Sequence, residues 1–193
     1  MTADPLLARD AVWAILTEWT KSESLLKHAL AVEAAVRGYA RMQGKDEEAW
    51  GAVALLHDFD YERYQTPDDH PFRGCDELRR RGYPEWVTRA ILSHADYSGV
   101  PRESPLEKTL YACDEMAGFV TAASLVRPSK SVLDLEPASV VRRMKDKAFA
   151  RNISRDDLRR GADELQLPLE THIANVIAFM RERADSLGLR GAL

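Results

Sequence analysis

The sequence predicts an all-α fold, and three observations support this prediction. Apolar side chains recur every three or four residues along most of the chain, which gives an amphipathic helix its buried stripe. Ser, Asp or Pro precedes several of these stretches, as is typical where helices begin. No stretch shows the strict alternation of apolar and polar residues that predicts a half-buried strand.

Six helices are predicted before residue 126. They are expected at about residues 6–20, 22–43, 47–58, 71–82, 85–95 and 105–125. Ser22 or Ser24 can cap the second helix and Asp46 the third, because their side-chain oxygens can accept a hydrogen bond from a free backbone N–H. The segment 59–64 is polar, and we expect Asp60 to lie outside the core.

The chain after residue 126 is more polar, with helices expected at about residues 138–149, 155–165 and 170–187. Ile173, Val176, Ile177 and Met180 share one stripe of the last of these helices, which should therefore pack back on the body of the protein. His172 lies near the start of the same helix. We expect it to be exposed or to cap the helix.

The composition indicates a globular protein with one sizeable core. The chain has 193 residues, of which 45% are hydrophobic and 30% are charged. No apolar run approaches the roughly 18 residues of a membrane span, and no signal-peptide pattern opens the chain, so we expect a soluble, cytoplasmic protein. Cys75 and Cys113 form no Cys-x-x-Cys motif, which argues against a disulfide framework and a thiolate zinc site.

The charge is distributed unevenly along the chain. The formal net charge is -4, yet the segment 127–160 contains ten Lys or Arg residues and five Asp or Glu residues. This segment could recognise a phosphorylated ligand, or it could present ordinary solvated helix faces. The acidic overall charge and the lack of interleaved basic and aromatic residues disfavour a nucleic-acid partner. Exposed faces of the C-terminal helices could form a homodimer.

Six polar side chains occupy positions that packing does not explain. They lie near helix ends or on otherwise apolar helical faces and are His28, His57, Asp58, His70, His94 and Asp114. Burying a carboxylate is costly unless it is paired or binds a metal. A single histidine on such a face is more often a core residue, but six such residues exceed the four ligands of a structural zinc site.

This set of residues predicts a site for one or two divalent metal ions. Nitrogen and oxygen donors without thiolate suit iron, manganese, cobalt, nickel or zinc, and magnesium is a further candidate. Two metals that share a bridging carboxylate can activate water and neutralise a phosphoryl group. This is the chemistry of two-metal phosphoester hydrolysis.

The order of these residues resembles that in a known family. His28, then the adjacent pair His57 and Asp58, then Asp114 follow the pattern of the HD-domain metal-dependent phosphohydrolase superfamily. Similarity to its bacterial HDIG-type subgroup lies in Leu55-Leu56-His57-Asp58, His70-Pro71-Phe72-Arg73-Gly74, Ala90-Ile91-Leu92-Ser93-His94 and the segment 106–114. The resemblance covers about residues 22–126.

The resemblance implies an HD-domain helical bundle with a C-terminal helical extension. The HD-type metal-binding domain would span residues 1–126, with its core at 22–126, and residues 127–193 would pack on the same domain. The resemblance also divides the ligands between two metals. His28, His57 and Asp114 would bind the first metal, Asp58 would bridge, and His70 and His94 would hold the second.

The same resemblance implies catalytic roles. Asp58 would help to orient a water molecule for attack on phosphorus. Apart from the resemblance, Lys108, Arg73, Lys145 and Lys147 are candidates for contacts with the phosphoryl oxygens, because cations offset the charge that develops there. Lys145 and Lys147 could equally carry ordinary surface charge.

Other roles remain open for some of these residues. Lys108 could form a structural ion pair near the site, and Arg73 could pair with Asp60 or Asp69. Asp60 could equally orient a ligand histidine.

The implied function is that of a metal-dependent phosphohydrolase, either a phosphomonoesterase or a phosphodiesterase. Its substrate would be a nucleotide or a similar small phosphoester. Two alternatives keep the same scaffold. One is a di-iron oxygenase that resembles myo-inositol oxygenase, and the other is a non-catalytic HD module that senses a ligand or partner.

Overall fold

The computed structural model describes residues 4–192. Within this range it contains the α-helices α1 Arg9–Trp19, α2 Glu23–Met42, α3 Glu47–Leu56, α4 Phe72–Arg80, α5 Glu85–His94, α6 Pro105–Leu125, α7 Pro137–Lys145, α8 Arg155–Glu164, α9 Leu169–Arg181 and α10 Ala184–Leu187. Short 3-10 turns occupy Pro5–Leu7 and Asp96–Ser98. No strand occurs in residues 4–192. The predicted all-α fold is confirmed.

The two longest helices, α2 and α6, form the centre of the bundle. Helix α2 packs against α3, α6 and α9, and α6 also contacts α5 and α8. Gly161 of α8 lies directly against α6, since a Cβ atom there would be 2.7 Å from the Cα of Ala112. Close approach of this kind requires a residue without a side chain. Helix α6 therefore touches helices from both ends of the chain.

The C-terminal helices complete the hydrophobic core. Ile173, Val176, Ile177 and Met180 of α9 are all at most 1% exposed. Gly38 of α2 faces the ring of Phe179, which would lie 2.2 Å from a Cβ atom at that position. The last long helix thus packs against α2, whereas the division of the chain at residue 126 stays a prediction.

Side-chain caps fix where two of the site-forming helices begin. The carboxylate of Asp46 accepts hydrogen bonds from the backbone N–H groups of Glu48 and Ala49, at 3.0 and 3.1 Å, ahead of α3. Ser104 and Glu107 form a capping box at the start of α6. These caps satisfy backbone donors that would otherwise lack partners and set the ends from which both helices run towards the site.

The segment between α3 and α4 differs from the prediction. Helix α3 ends at Leu56, α4 begins only at Phe72, and Asp60 is fully buried instead of lying outside the core. The carboxylate of Asp60 accepts a hydrogen bond from the backbone N–H of Gly74 at 2.8 Å and another from His70 at 2.7 Å. Since both oxygens have buried partners, the carboxylate can be accommodated in the core.

His172 is also misplaced by the sequence-based reasoning, because it is fully buried on α9. The hydroxyl of Tyr39 donates to its Nδ1 at 2.7 Å, and its Nε2–H donates to the carbonyl of Ala112 at 2.9 Å. His172 therefore links α9 to both central helices.

No helix within residues 4–192 has both the length and the apolar character needed to cross a membrane.

Candidate metal centre

The six polar residues singled out in the sequence converge at one place. His28 projects from α2, His57 and Asp58 follow α3, His70 precedes α4, His94 ends α5 and Asp114 lies on α6. One atom each of His28, His57, Asp58 and Asp114 lie within 4.8 Å of one another, and the same holds for Asp58, His70 and His94. Asp58 belongs to both groups.

The two oxygens of Asp58 face different histidines. Its Oδ2 lies 3.4 Å from His57 Nε2 and 3.8 Å from His28 Nε2. Its Oδ1 lies 3.3 Å from His70 Nε2 and 3.4 Å from His94 Nε2. A carboxylate arranged in this way could bind one cation through each oxygen.

Hydrogen bonds fix the orientation of three of the imidazole rings. The Nδ1–H of His57 donates to the carbonyl of Ala54 at 2.7 Å, and that of His94 donates to Ile91 at 2.5 Å. His70 uses its Nδ1–H to contact Asp60. Because a carbonyl or carboxylate oxygen accepts the Nδ1 proton, the neutral ring presents the lone pair of Nε2 to the site. This is the arrangement expected of metal-binding histidines.

One buried nitrogen atom shows directly that these residues suit a metal ion. The Nε2 of His57 is fully buried and has no hydrogen-bond partner among the described residues. Leaving a buried polar atom unpaired costs free energy. A cation between His57, Asp58 and Asp114 would satisfy this nitrogen and also balance the two carboxylates.

The ionisation of the site also matches a cation-binding role. Burial lowers the pKa of His57, but the charges of Asp58 and Asp114 outweigh this effect and hold the pKa well above its ordinary value. Burial likewise opposes the charged form of His70, whose hydrogen bonds to Asp58 and Asp60 nevertheless raise its pKa to about 9. Burial would raise the pKa of Asp58 and Asp114, but the neighbouring His57 outweighs this effect and lowers the pKa of both. Positive charge is thus favoured here.

A cavity of about 370 Å³ opens beside these residues. Besides the ligand candidates, its lining contains residues that sequence reasoning missed: Tyr61, Asp96, Tyr97, Tyr111, Glu115 and Asp157. Glu115 follows Asp114 directly, and Asp96 and Tyr97 follow His94 closely, so proximity in sequence could have identified them. Nothing in the sequence places Asp157 there.

Two of these lining residues have a pKa well above its ordinary value. Burial, reinforced by the charge of Asp114, raises the pKa of Glu115 to about 7. Burial and then the charge of Asp58 raise the pKa of Tyr97 to about 12. Perturbed titration next to a cavity is typical of functional sites.

Two arginines support the rim of the cavity around Tyr111. The guanidinium of Arg102 lies 3.6 Å from the centre of the tyrosine ring, and Arg160 Nε donates to the tyrosine hydroxyl at 2.6 Å. Arg102 and Arg160 both contact the carboxylate of Asp96, and Arg160 also contacts Asp157 at 2.5 Å. The cations at the rim are therefore already paired.

The structure does not bring the predicted phosphate-binding residues into this cavity. Lys108 lines two other clefts, although it shares α6 with Asp114. Arg73 is exposed and pairs with Asp69 at 3.0 Å, which was one of its expected alternatives. Lys145 and Lys147 are exposed and do not line the cavity.

Comparison with known families connects this geometry to a family. Residues 25–118 match the family model of the HD domain. This HD segment contains all six candidate ligands and the helices α3, α4 and α5 that surround them. Neither the curated proteins nor the solved structures gave a match to the chain. The match supports the HD superfamily, while the HDIG-type subgroup remains a prediction.

Proposed function

We propose that the protein is a metal-dependent phosphohydrolase that cleaves a small phosphoester. One observation carries the proposal. A single carboxylate, Asp58, is shared by two groups of ligand atoms, and both groups border an open cavity of about 370 Å³. The match of residues 25–118 to the HD domain supports this reading.

The residues divide naturally between two cations. His28, His57 and Asp114 would hold one, and His70 and His94 the other, with Asp58 between them. Divalent ions bound there would supply Lewis acidity for the phosphoryl oxygens and would lower the pKa of a water molecule towards about 7.

Hydrogen bonds from the ligand histidines to neighbouring oxygen atoms hold their rings in place for metal binding. Asp60 keeps the Nε2 of His70 directed at the site, and the carbonyls of Ala54 and Ile91 do the same for His57 and His94. Tyr61 and Tyr97 form part of the cavity wall. A fixed ligand set lowers the cost of reorganisation during the reaction.

Size limits the substrate. A volume of about 370 Å³ accommodates a phosphoryl group with a compact leaving group, such as a nucleoside or another small alcohol. The cavity opens to solvent, so either a phosphomonoester or a phosphodiester could enter.

The decisive experiment combines metal analysis with phosphate release. The protein is purified aerobically and anaerobically, its metal content is measured, and phosphoesters are screened with added manganese, iron and cobalt. We expect about two metals per chain and phosphate release. We expect Asp58→Asn to reduce turnover at least ~100-fold, because the amide cannot bridge two cations, and Asp68→Asn, an exposed carboxylate, to have no effect.

Other outcomes would overturn the proposal. Two irons with oxygen consumption and no phosphate release would establish the di-iron oxygenase alternative, since histidine and carboxylate ligands also suit iron. No metal under either condition would leave a non-catalytic ligand-sensing module. Full turnover by Asp58→Asn would contradict the bridging role.

A further inference from the structure

The outer part of the cavity indicates which leaving group the substrate carries. This inference rests on the proposed phosphohydrolase function, and the cavity's role as a substrate site rests on the metal-binding cluster rather than on the carboxylates of the outer wall.

The outer wall of the cavity carries acidic side chains and no basic ones among the described residues. Beyond the candidate ligands, its lining contains the carboxylates of Asp96, Glu115 and Asp157, and none of the described residues that line it is Lys or Arg. The carboxylates of Asp58 and Asp114 would be balanced by bound cations. Among the described residues, the outer carboxylates contact only two guanidiniums, those of Arg102 and Arg160, and Arg102 is also paired with Glu164. Carboxylates therefore outnumber cations where a leaving group would lie.

The neighbouring arginines do not remove this negative character. Arg102 is held by Asp96 and by two hydrogen bonds from its guanidinium to Glu164, both at 2.8 Å. Arg160 contacts both Asp96 and Asp157, so two carboxylates share its single positive charge. Freeing either guanidinium for an anionic ligand would leave partly buried carboxylates unpaired, which is unfavourable.

Two carboxylates at the wall retain free acceptor oxygens. Glu115 is partly buried and lines the cavity, yet no hydrogen bond or ion pair with a described residue reaches its carboxylate. Asp157 accepts from Arg160 through Oδ1, and no described residue donates to its Oδ2. Donors on a bound molecule would satisfy these oxygens.

We propose that Glu115 and Asp157 bind the leaving group of the substrate and that this group carries hydroxyl or ammonium donors but no second anionic group. A second phosphate or a carboxylate would face like charges across a partly desolvated cavity. The substrate class is therefore a singly phosphorylated polyol, amino alcohol or nucleoside, to the exclusion of nucleoside diphosphates and triphosphates.

Four phosphonates of similar length test this proposal by binding. Propylphosphonate, 3-hydroxypropylphosphonate, 3-aminopropylphosphonate and 2-carboxyethylphosphonate have carbon–phosphorus bonds that a phosphohydrolase cannot hydrolyse. Their dissociation constants for the manganese-loaded protein are measured by calorimetry. The same measurements on Glu115→Gln, Asp157→Asn and Asp156→Asn identify the residues responsible. Asp156 is the matched control, because it lies beside Asp157 on α8 with its side chain 97% exposed.

We expect the hydroxyl and amino compounds to bind at least about tenfold more tightly than propylphosphonate. The relative affinity of these two compounds shows whether a hydroxyl or an ammonium is preferred. The carboxyethyl compound should bind more weakly than propylphosphonate. Glu115→Gln and Asp157→Asn should each reduce these differences, and Asp156→Asn should preserve them.

Equal affinities for all four compounds, tighter binding of the carboxyethyl compound, or no binding at all would overturn the inference. Phosphate release from 4-nitrophenyl phosphate, whose leaving group carries no ammonium or aliphatic hydroxyl donor, is measured separately. Release without discrimination among the phosphonates would contradict this inference alone. Discrimination without release from any phosphoester would contradict the proposed function alone.

Discussion

His70 donates its Nδ1 proton to the buried carboxylate of Asp60, at a distance of 2.7 Å. The bond joins the residue that precedes α4 to one in the turns after α3, and it directs His70 Nε2 towards Asp58 Oδ1, 3.3 Å away. The geometry of one half of the metal centre therefore depends on a carboxylate that does not itself belong to either group of ligand atoms.

We expect Asp60→Asn to weaken binding of one metal about 10- to 100-fold, as is typical when a partner of a ligand histidine is lost. The amide could offer its NH₂ group to His70 Nδ1 and so favour the tautomer with the proton on Nε2, which removes the lone pair from the site. Calorimetric titration with manganese measures the effect. Asp68→Asn is the control, and unchanged affinity of both sites in Asp60→Asn would contradict the assigned role.

Removing a ligand residue from one of the two groups should change the number of metal ions bound per chain and leave the fold intact. We expect His94→Ala to bind one metal per chain where the wild-type protein binds two, because His94 belongs only to the group that contains Asp58 and His70. Elemental analysis and circular dichroism test this together. If the wild-type protein binds a single metal, the assignment of His70 and His94 to a second metal is wrong.

The ligand candidates could be predicted because their chemistry conflicts with their surroundings. A histidine or aspartate on an apolar helical face is visible in the sequence, as for His28 and Asp114. The burial of Asp60 could not be predicted in this way, because polarity alone predicts exposure, although a role in orienting a ligand histidine was one of its expected alternatives. Its burial depends on the Gly74 N–H and on His70, which lies ten residues further along the chain.

The phosphate-binding candidates show a different limit. Lys108 and Asp114 lie six residues apart on α6, so about 3.6 residues per turn place their side chains on different faces. Proximity in sequence therefore does not place them in one cavity. Asp157 reaches the cavity from α8 through contact between distant helices, and such contacts leave no pattern in the sequence that we could read.

Helix packing provides a test that is independent of metal. We expect Gly161→Ala to lower the free energy of unfolding by about 1–3 kcal/mol, because the new methyl group would lie 2.7 Å from the Cα of Ala112 and would force α8 away from α6. Gly118→Ala is the control, since its Cβ would find its closest contact at 3.6 Å, an ordinary packing distance. Urea unfolding of the metal-free proteins measures both changes. Equal stability of the two variants would contradict the close packing of α8 on α6.

The buried His172 should make the stability of the protein depend on pH. Burial lowers its pKa in the folded protein to about 4, whereas the side chain takes up a proton near pH 6.5 in the unfolded chain. Between these values the unfolded state binds more protons, so acidification favours unfolding. The contribution of His172 is fully present above about pH 6.5, falls as the pH decreases towards 4, and amounts to about 3 kcal/mol over that window.

His172→Gln isolates this contribution, because the glutamine amide does not titrate but can accept from Tyr39 and donate to Ala112. Urea unfolding of the metal-free proteins at pH 7.5 and pH 4.5 gives the free energies of unfolding. We expect the wild-type protein to lose about 2–3 kcal/mol more than the variant on acidification, because groups common to both proteins cancel in the comparison. Equal losses in the two proteins would mean that His172 is protonated equally in the folded and unfolded states, and would contradict the lowered pKa.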